Sequence, residues 1–241
     1  FALIIVAALL SGCGENQPNF IADARPQRLS EWNLFDLSAS RLRPLPAVEI
    51  VRPANPLFTD YAHKLRTLWI PDGAQATLIN DEIDYPVGTV LSKTFYYPND
   101  ESGNVIRVAD EGAREIDLAD SRLIETRILV RQEAGWDALP YVWNEDETEA
   151  FLRVAGASRP LTMITAAEPK QPATQFAYFV PNEISALAVT PPSIPTAACI
   201  RSARSRVSSP LQRIRRAENS SPKSTPSLHA GGSIKHRKFQ R

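Results

Sequence analysis

The run of residues 123–152 constrains the fold more than any other part of the sequence. In its first third, one alternating set of side chains is apolar or β-branched: Ile124, Thr126, Ile128 and Val130. The set between them is charged, with Glu125, Arg127 and Arg131. Alternation with a period of two, in residues that favour extended chain, predicts a half-buried β-strand with one apolar and one charged face.

The same run continues as a predicted three-stranded meander. Gly135 is expected to supply a turn, and a return strand rich in aromatic residues follows it. One face of that strand carries Trp136, Ala138 and Val142, and the other carries Leu139, Tyr141 and Trp143. A third strand is predicted over 148–154. Because two of the four tryptophans lie here, we expect the meander to form the core sheet, although it holds no catalytic constellation.

Short strands with turn signals recur through the rest of residues 29–182. They are predicted at 64–70, 75–79, 89–97, 104–108, 114–118, 161–165 and 175–180. A helical turn capped by Ser30 is predicted at 30–35, and the prolines between residues 44 and 56 favour extended, edge-like chain. About nine or ten short strands with almost no helical periodicity indicate an all-β domain, an antiparallel β-sandwich or jelly-roll.

The zero net charge of the 241 residues hides a division of charge along the chain. Residues 184–241 contain eleven Lys or Arg and a single acidic residue, Glu218, which leaves 16 basic and 26 acidic residues in the rest. Because this composition offers too little apolar surface for a packed core, residues 183–241 are predicted to be a disordered basic tail. Nucleic acid is not an expected partner, since no aromatic residues for base stacking are interleaved with the arginines.

The N-terminal segment predicts export and a lipid anchor. Residues 1–10 are apolar, too few to span a bilayer but suited to a signal peptide, and the sequence is expected to begin inside that signal. Leu10-Ser-Gly-Cys13 resembles the bacterial lipobox, which implies that residues 1–12 are removed and that Cys13 is lipidated. Residues 13–28 would then link the domain to a membrane surface, and Gly14 implies the periplasmic side of the outer membrane. The alternative is a buried N-terminal strand or helix with an inert core cysteine.

Few residues suggest a metal or catalytic site. His63 is the only histidine before the tail, and a single histidine at the entry to a strand is more often structural than a metal or haem ligand. Asp60, Tyr61 and His63 would form an acid–base cluster only if the fold brought them together. Asn144-Glu-Asp-Glu147 lacks the residue spacing of a calcium loop, which favours a solvated hairpin tip.

Several segments carry a resemblance to a known family, and they follow one another along the chain. They are Asn55-Pro-Leu-Phe-Thr-Asp-Tyr-Ala, Trp69-Ile-Pro-Asp-Gly, Pro86-Val-Gly-Thr-Val-Leu-Ser-Lys-Thr-Phe-Tyr-Tyr-Pro, Leu123-Ile-Glu-Thr-Arg, Gly135-Trp, Leu139-Pro-Tyr-Val-Trp-Asn and Phe176-Ala-Tyr. From about residue 29 to residue 182, the chain thereby resembles a bacterial family of lipid-anchored di-haem c-type cytochromes. The resemblance implies an N-terminal β domain, a role in electron transfer, and haem c held downstream by Cys-x-x-Cys-His motifs. It assigns no catalysis to the β domain.

The expected haem motif does not occur in this chain. Its two cysteines, Cys13 and Cys199, are also too few for a disulfide framework or a zinc site. With compatible codons, a shift of one base recodes the chain after Asn182 as Asn-Gln-Cys-Ala-Gly-Cys-His-Ala-Thr. The recoded cysteines and histidine overlap Ser185, Ala186, Ala188, Val189 and Thr190. Because the motif emerges directly where the resembled family would carry it, a frameshift near residues 182–184 is predicted, against the alternative of a genuine basic tail.

Three hypotheses about function remain at this point. In the first, the chain is the N-terminal module of an exported di-haem c-type cytochrome, and its redox partner protein is unidentified. In the second, a stand-alone β-sandwich lipoprotein binds a ligand or glycan on exposed tryptophan and tyrosine rings. The third, an enzyme with Asp60 and His63 in its site, lacks a recognisable catalytic constellation. Exposed coplanar aromatics would favour the binding module, and aromatics buried between sheets would favour the cytochrome scaffold.

Overall fold

The computed structural model describes residues 17–54, 56–80, 82–165 and 171–182. Cys13, the predicted signal peptide and the predicted tail therefore lie outside the described residues. Within these ranges the chain forms a 3₁₀ turn, Leu29–Trp32, and fourteen strands. The strands are β1 Phe35–Ser38, β2 Arg41–Pro44, β3 Glu49–Ile50, β4 His63–Trp69, β5 Thr77–Ile79, β6 Glu82–Asp84, β7 Val90–Pro98, β8 Val105–Ile106, β9 Ile116–Asp117, β10 Ser121–Gln132, β11 Gly135–Trp143, β12 Ala150–Leu152, β13 Ala157–Ile164 and β14 Thr174–Val180.

Six of these strands form a central antiparallel sheet in the order β12-β11-β10-β7-β4-β3. Two three-stranded sheets, β1-β2-β9 and β14-β13-β8, and the hairpin β5-β6 complete the domain. Every named pair is antiparallel except β13 with β8. The all-β, sandwich-like fold predicted from alternation is confirmed, and the predicted meander supplies β10, β11 and β12.

Apolar side chains cover both faces of the central sheet. The larger cluster lies on one face, where the 3₁₀ turn contributes Trp32 and the β1-β2-β9 sheet contributes Leu42 and Ile116. The opposite face carries two smaller clusters. One of them contains Leu68, Ala76, Tyr85, Leu129 and Ala138, and the other contains Phe95, Tyr97, Val105, Ile124 and Leu161. The central strands are therefore buried on both sides, which a half-buried alternation did not indicate.

A β-bulge changes the predicted alternation of β10. The pairing of β10 with β7 shifts register between Leu123 and Glu125, so that one extra residue, Ile124, is inserted. Ile124 packs in the cluster of Phe95, whereas Leu123 packs in the larger cluster with Ile128. The prediction that Ile124 shares a face with Ile128 is wrong, because the bulge offsets the two halves of the strand by one residue.

The structure before β1 also differs from the prediction. Arg28, and not Ser30, occupies the N-cap position of the 3₁₀ turn. Ser30 lies inside the turn, and its hydroxyl donates a hydrogen bond to the carboxylate of Glu149 at 2.6 Å. The prediction of a cap at Ser30 is therefore wrong. The residues that follow form the β1-β2 hairpin, which the predicted helical turn at 30–35 did not anticipate.

The described part of the segment assigned to a linker lies along the domain. Phe20 and Ile21 pack against the larger cluster. The carbonyl oxygen of Gln27 accepts a hydrogen bond from the backbone N–H of Leu152 at 3.0 Å. Residues 17–28 thus add contacts to the folded domain. No helix in the described ranges is long and apolar enough to cross a bilayer.

Gly156, in the loop between β12 and β13, adopts a backbone conformation that favours glycine, with φ at +78°. It lies against the chain that leaves β14. A Cβ atom added here would approach the carbonyl oxygen of Val180 to 2.5 Å and the backbone nitrogen of Asn182 to 3.1 Å. The close approach of two backbone segments at this position therefore requires glycine.

Candidate functional site

His63, the candidate metal or haem ligand, is buried at the start of β4. Its ring stands edge-on to Tyr96, with 5.4 Å between the ring centroids. Its Nε2 lies 3.2 Å from the carbonyl oxygen of Val108, which can only accept a hydrogen bond, and its Nδ1 lies 3.9 Å from Oδ1 of Asp110. Both ring nitrogens face protein oxygens, so the structural interpretation of His63 accounts for its contacts. Across the described residues, no group of three or more His, Cys, Asp or Glu side chains is placed to hold a metal.

Asp60 and Tyr61 lie just before β4, and their hydrogen bonds join them to Tyr97 and Arg107. Both have left-handed backbone angles, with φ at 45° and 63°, which cost about 1–3 kcal/mol each in residues other than glycine. The carbonyl oxygen of Asp60 accepts a hydrogen bond from the hydroxyl of Tyr97 at 3.1 Å. The guanidinium of Arg107 donates to the Tyr61 hydroxyl at 2.6 Å and lies 4.6 Å from the centre of its ring. The fold thus builds Tyr61 into a contact with Arg107 and not into a site with His63.

An open groove of about 430 Å³ lies beside this pair. Its lining combines apolar side chains, including Phe58, Met163 and Phe176, with the polar groups of Asp60 and Arg107. The ring of Phe58 stands perpendicular to that of Tyr61, with 5.1 Å between the ring centroids. Phe58 forms one side of the groove and is 70% exposed. Apolar rings with a few charged groups around an open groove are typical of an interaction surface.

The charged face of β10 is covered, which corrects the predicted half-buried strand. Glu125 is fully buried, and its carboxylate accepts two hydrogen bonds from Arg127, at 2.9 Å and 2.6 Å. The hydroxyl of Tyr178, on β14, donates to the same carboxylate at 2.7 Å. The guanidinium of Arg127 also lies 4.5 Å from the centre of the Phe95 ring. Three donors therefore satisfy a buried carboxylate and attach β14 to the central sheet.

The pKa values of this cluster agree with its geometry. Burial, followed by the charge of Glu125, holds the pKa of Tyr178 well above its usual value, so the hydroxyl remains a donor. Burial lowers the pKa of Arg127, but its hydrogen bonds to Glu125 and the attraction of that carboxylate outweigh this and raise it. Tyr178 and Arg127 are thus both held in the forms that donate hydrogen bonds to Glu125.

The tryptophans do not form an exposed platform in the part of the chain that the structure describes. Trp32, Trp69 and Trp143 are buried, and Trp136 is half-buried against Tyr85. The indole N–H of Trp32 donates to the hydroxyl of Tyr141 at 2.8 Å. The tryptophans therefore serve mainly as core. The indole nitrogens of Trp32 and Trp143 are bonded inside the domain, whereas that of Trp69 is buried without a hydrogen-bond partner among the described residues.

Residues 144–147 form the turn between β11 and β12. The side-chain oxygen of Asn144 accepts hydrogen bonds from the backbone N–H groups of Thr148 and Glu149, at 2.9 Å and 3.2 Å. The carboxylate of Glu145 contacts two arginines, Arg122 and Arg159. The geometry is that of a turn closed by its own hydrogen bonds, in which Glu145 is engaged by arginines.

Comparison with known proteins finds no matching family model, no matching curated protein and no matching solved structure. The remaining predicted site residues, namely Cys13, Ser185, Ala186, Ala188, Val189 and Thr190, lie outside the described residues. The described residues contain no cysteine, and both ring nitrogens of His63 face protein oxygens. Sequence reasoning missed Arg107 and Tyr178, since no local pattern signals contacts made by residues distant in the chain.

Proposed function

We propose that residues 29–182 are the N-terminal β module of an exported, lipid-anchored di-haem c-type cytochrome. The module serves electron transfer as a docking and support domain and does not carry haem itself. The observation that carries the proposal is the burial of Trp32, Trp69 and Trp143 between sheets, as expected of a scaffold. A glycan-binding platform would instead require exposed coplanar rings, and the described tryptophans do not provide them.

The placement of the segments that carry the resemblance also supports this proposal. Residues 86–98, 123–127 and 139–144 lie mainly in the central strands β7, β10 and β11. Two other segments, 57–62 and 176–178, are far apart in sequence but both reach the open groove. Three of the segments thus lie in the central sheet, and two lie at the open groove.

The groove is the proposed docking surface of the module. Leu57 and Phe58 beside it are 80% and 70% exposed, and a protein partner would remove this apolar surface from water. The charged groups of Asp60 and Arg107 at its edge would fix the orientation of that partner. The partner proposed here is a redox protein or the haem-bearing part of the same cytochrome.

The proposed haem attachment lies after Asn182, in the frame shifted by one base. In that frame, Cys-x-x-Cys-His provides two cysteines for thioether bonds and a histidine for the iron of haem c. The lipid on Cys13 and a location on the periplasmic side of the outer membrane belong to the same proposal. As translated here, the chain is expected to bind no haem c.

The nucleotide sequence across codons 180–205 is the first test of this proposal. The second test compares the gene as given with a version shifted by one base and extended, both expressed in a strain that matures cytochrome c. Only the shifted version should show a Soret band and a haem-linked peroxidase stain. A control with both motif cysteines changed to serine should express the same β module without covalent haem. Codons that cannot encode Cys-x-x-Cys-His in either alternative frame would remove the support for the cytochrome assignment.

A further inference from the structure

Three cations stand in one row across the central sheet. Arg66 of β4 pairs with Lys93 of β7, and Lys93 pairs with Arg127 of β10. Directly paired residues have Cβ atoms about 5 Å apart on the same face, and like charges in this relation are destabilising. Lys64 adds a fourth cation two residues along β4, since alternate residues of a strand share a face. Directly paired like charges destabilise a sheet, and proteins depart from such rules mainly at functional sites. The row is therefore a candidate functional site.

The protein neutralises this row unevenly. Arg127 is paired with the carboxylate of Glu125. The ammonium of Lys64 donates to the carbonyl oxygen of Leu57 at 2.6 Å. The ammonium of Lys93, in contrast, forms neither a hydrogen bond nor an ion pair with any of the described residues, and it faces the ring of Phe95 at 5.8 Å. Lys93 is half-buried, so its charge is held within the row.

The groups around Lys93 leave its positive charge without a dedicated counter-ion. Burial, followed by the positive charges of neighbouring strands, lowers the pKa of Lys93 to about 8. The charged and titratable groups that face it from β4, β10 and β14 are Lys64, Arg66, Glu125, Arg127 and Tyr178. Glu125 opposes the shift only in part, because its carboxylate is already bonded to Arg127 and Tyr178. An anion beside Lys93 would act against this shift by favouring the charged ammonium.

The row lies on a strip between two apolar groups of the same sheet face. On one side, Leu68, Leu91 and Leu129 are directly paired across β4, β7 and β10. On the other side, Phe95 packs against Tyr178 of β14, with ring centroids 6.3 Å apart. Apolar walls lower the local dielectric, so an anion on this strip would interact with the cations more strongly than on an open surface.

We propose that this strip is an anion-binding site, in which the ammonium of Lys93 donates to the oxygens of a phosphate group and the neighbouring cations of the row attract it. Guanidinium and ammonium groups are the usual side-chain donors to phosphate. Phosphate carries up to two negative charges near neutral pH, and therefore offsets more of the repulsion within the row than a single carboxylate would. Inorganic phosphate, a phosphate ester and a phospholipid head group share this chemistry. The site is independent of the cytochrome proposal.

The test is a titration of the full chain with inorganic phosphate at pH 7 and constant ionic strength, measured by calorimetry. Saturable binding is expected, and Lys93→Met should weaken it roughly tenfold or more, the loss expected for one charge-assisted hydrogen bond. Lys93→Arg should restore most of the affinity, because the charge returns. The matched control is Arg114→Met, which removes one exposed positive charge from the loop before β9 and should bind phosphate like the wild type.

A pH series and a vesicle assay complete the experiment. The affinity for phosphate should fall between pH 8 and pH 10 in the wild type as Lys93 loses its proton, and should stay level in Lys93→Arg. Phosphatidylcholine vesicles with and without phosphatidic acid distinguish a lipid head group from a soluble phosphate, in a co-sedimentation assay on the same variants. Binding to either that requires Lys93 supports the site. Binding to neither, or equal binding by Lys93→Met with an unchanged circular dichroism spectrum, would overturn it.

Discussion

Removal of a single oxygen atom from Tyr178 should destabilise the whole β domain. The Tyr178 hydroxyl donates to the buried carboxylate of Glu125 at 2.7 Å, and it reaches from β14 to the central sheet. In Tyr178→Phe the ring remains, so the packing against Phe95 and Tyr97 is retained. The change therefore isolates one hydrogen bond to a charged acceptor inside the domain.

The magnitude follows from the environment of the acceptor. A hydrogen bond to a charged group contributes about 1.5–3 kcal/mol, and Glu125 has no access to water that could replace the lost donor. Arg127 still donates to both carboxylate oxygens, so Glu125 is not left without partners. We expect a loss of about 2 kcal/mol in the free energy of unfolding, and a fall in Tm of roughly 4–8 °C for a domain of this size.

Urea unfolding followed by tryptophan fluorescence measures this loss, because three of the four tryptophans are buried. The matched control is Tyr61→Phe, whose hydroxyl accepts an equally short hydrogen bond, 2.6 Å from Arg107, at an exposed position. Solvent replaces that bond, so the control should lose less than about 0.5–1 kcal/mol. Equal losses in the two variants would refute the argument that β14 is attached through a buried, charged acceptor.

Three further predictions concern charge and backbone. Glu125→Gln should cost about 3–5 kcal/mol in urea unfolding, since it leaves Arg127 buried without its counter-ion. The triple change Glu125→Leu, Arg127→Met and Tyr178→Phe should recover most of that loss, because it leaves neither a buried charge nor a buried hydroxyl without a partner. Because the pKa of Lys93 is lowered in the folded protein, the unfolded chain binds more protons than the folded one between pH 8 and pH 10. The free energy of unfolding should therefore rise with pH in this range, by on the order of 1–2 kcal/mol after allowance for partial exposure. A rise of the same size in Lys93→Met would contradict this. Gly156→Ala should lower Tm more than Gly103→Ala does, because both positions have positive φ but only Gly156 meets backbone atoms, adding about 1–3 kcal/mol of clash.

The sequence predicted the central strands because their signals are local. Alternation in β10 and the turn before β11 are written in consecutive residues, and the structure confirms both strands. The β1-β2 hairpin gave no such signal. Its turn places Ala39 and Ser40 at positive φ, 50° and 55°, where Asn-Gly is the usual marker. A hairpin closed by atypical residues is therefore missed by turn rules.

The candidate surfaces were hidden from the sequence for a different reason. Val108, whose carbonyl oxygen contacts His63, lies 45 residues further along the chain. Tyr178, which covers Glu125 from β14, lies 53 residues after Glu125. Such contacts depend on how the sheets stack, which alternation within one strand does not encode. The row of cations likewise appears only once the register of three strands is known. Sequence analysis could therefore identify the charged and aromatic residues but could not predict which of them are in contact.

The bulge in β10 has a consequence for how this strand can change in length. Removal of Ile124 alone would join Leu123 to Glu125 and leave every other residue opposite its present partner on β7, at the expense of one buried side chain. A deletion between residues 126 and 130 would instead shift the residues between the bulge and the deleted position by one place and exchange their two faces. A single-residue deletion in this strand is thus compatible with the fold at the bulge but not further along its pairing with β7.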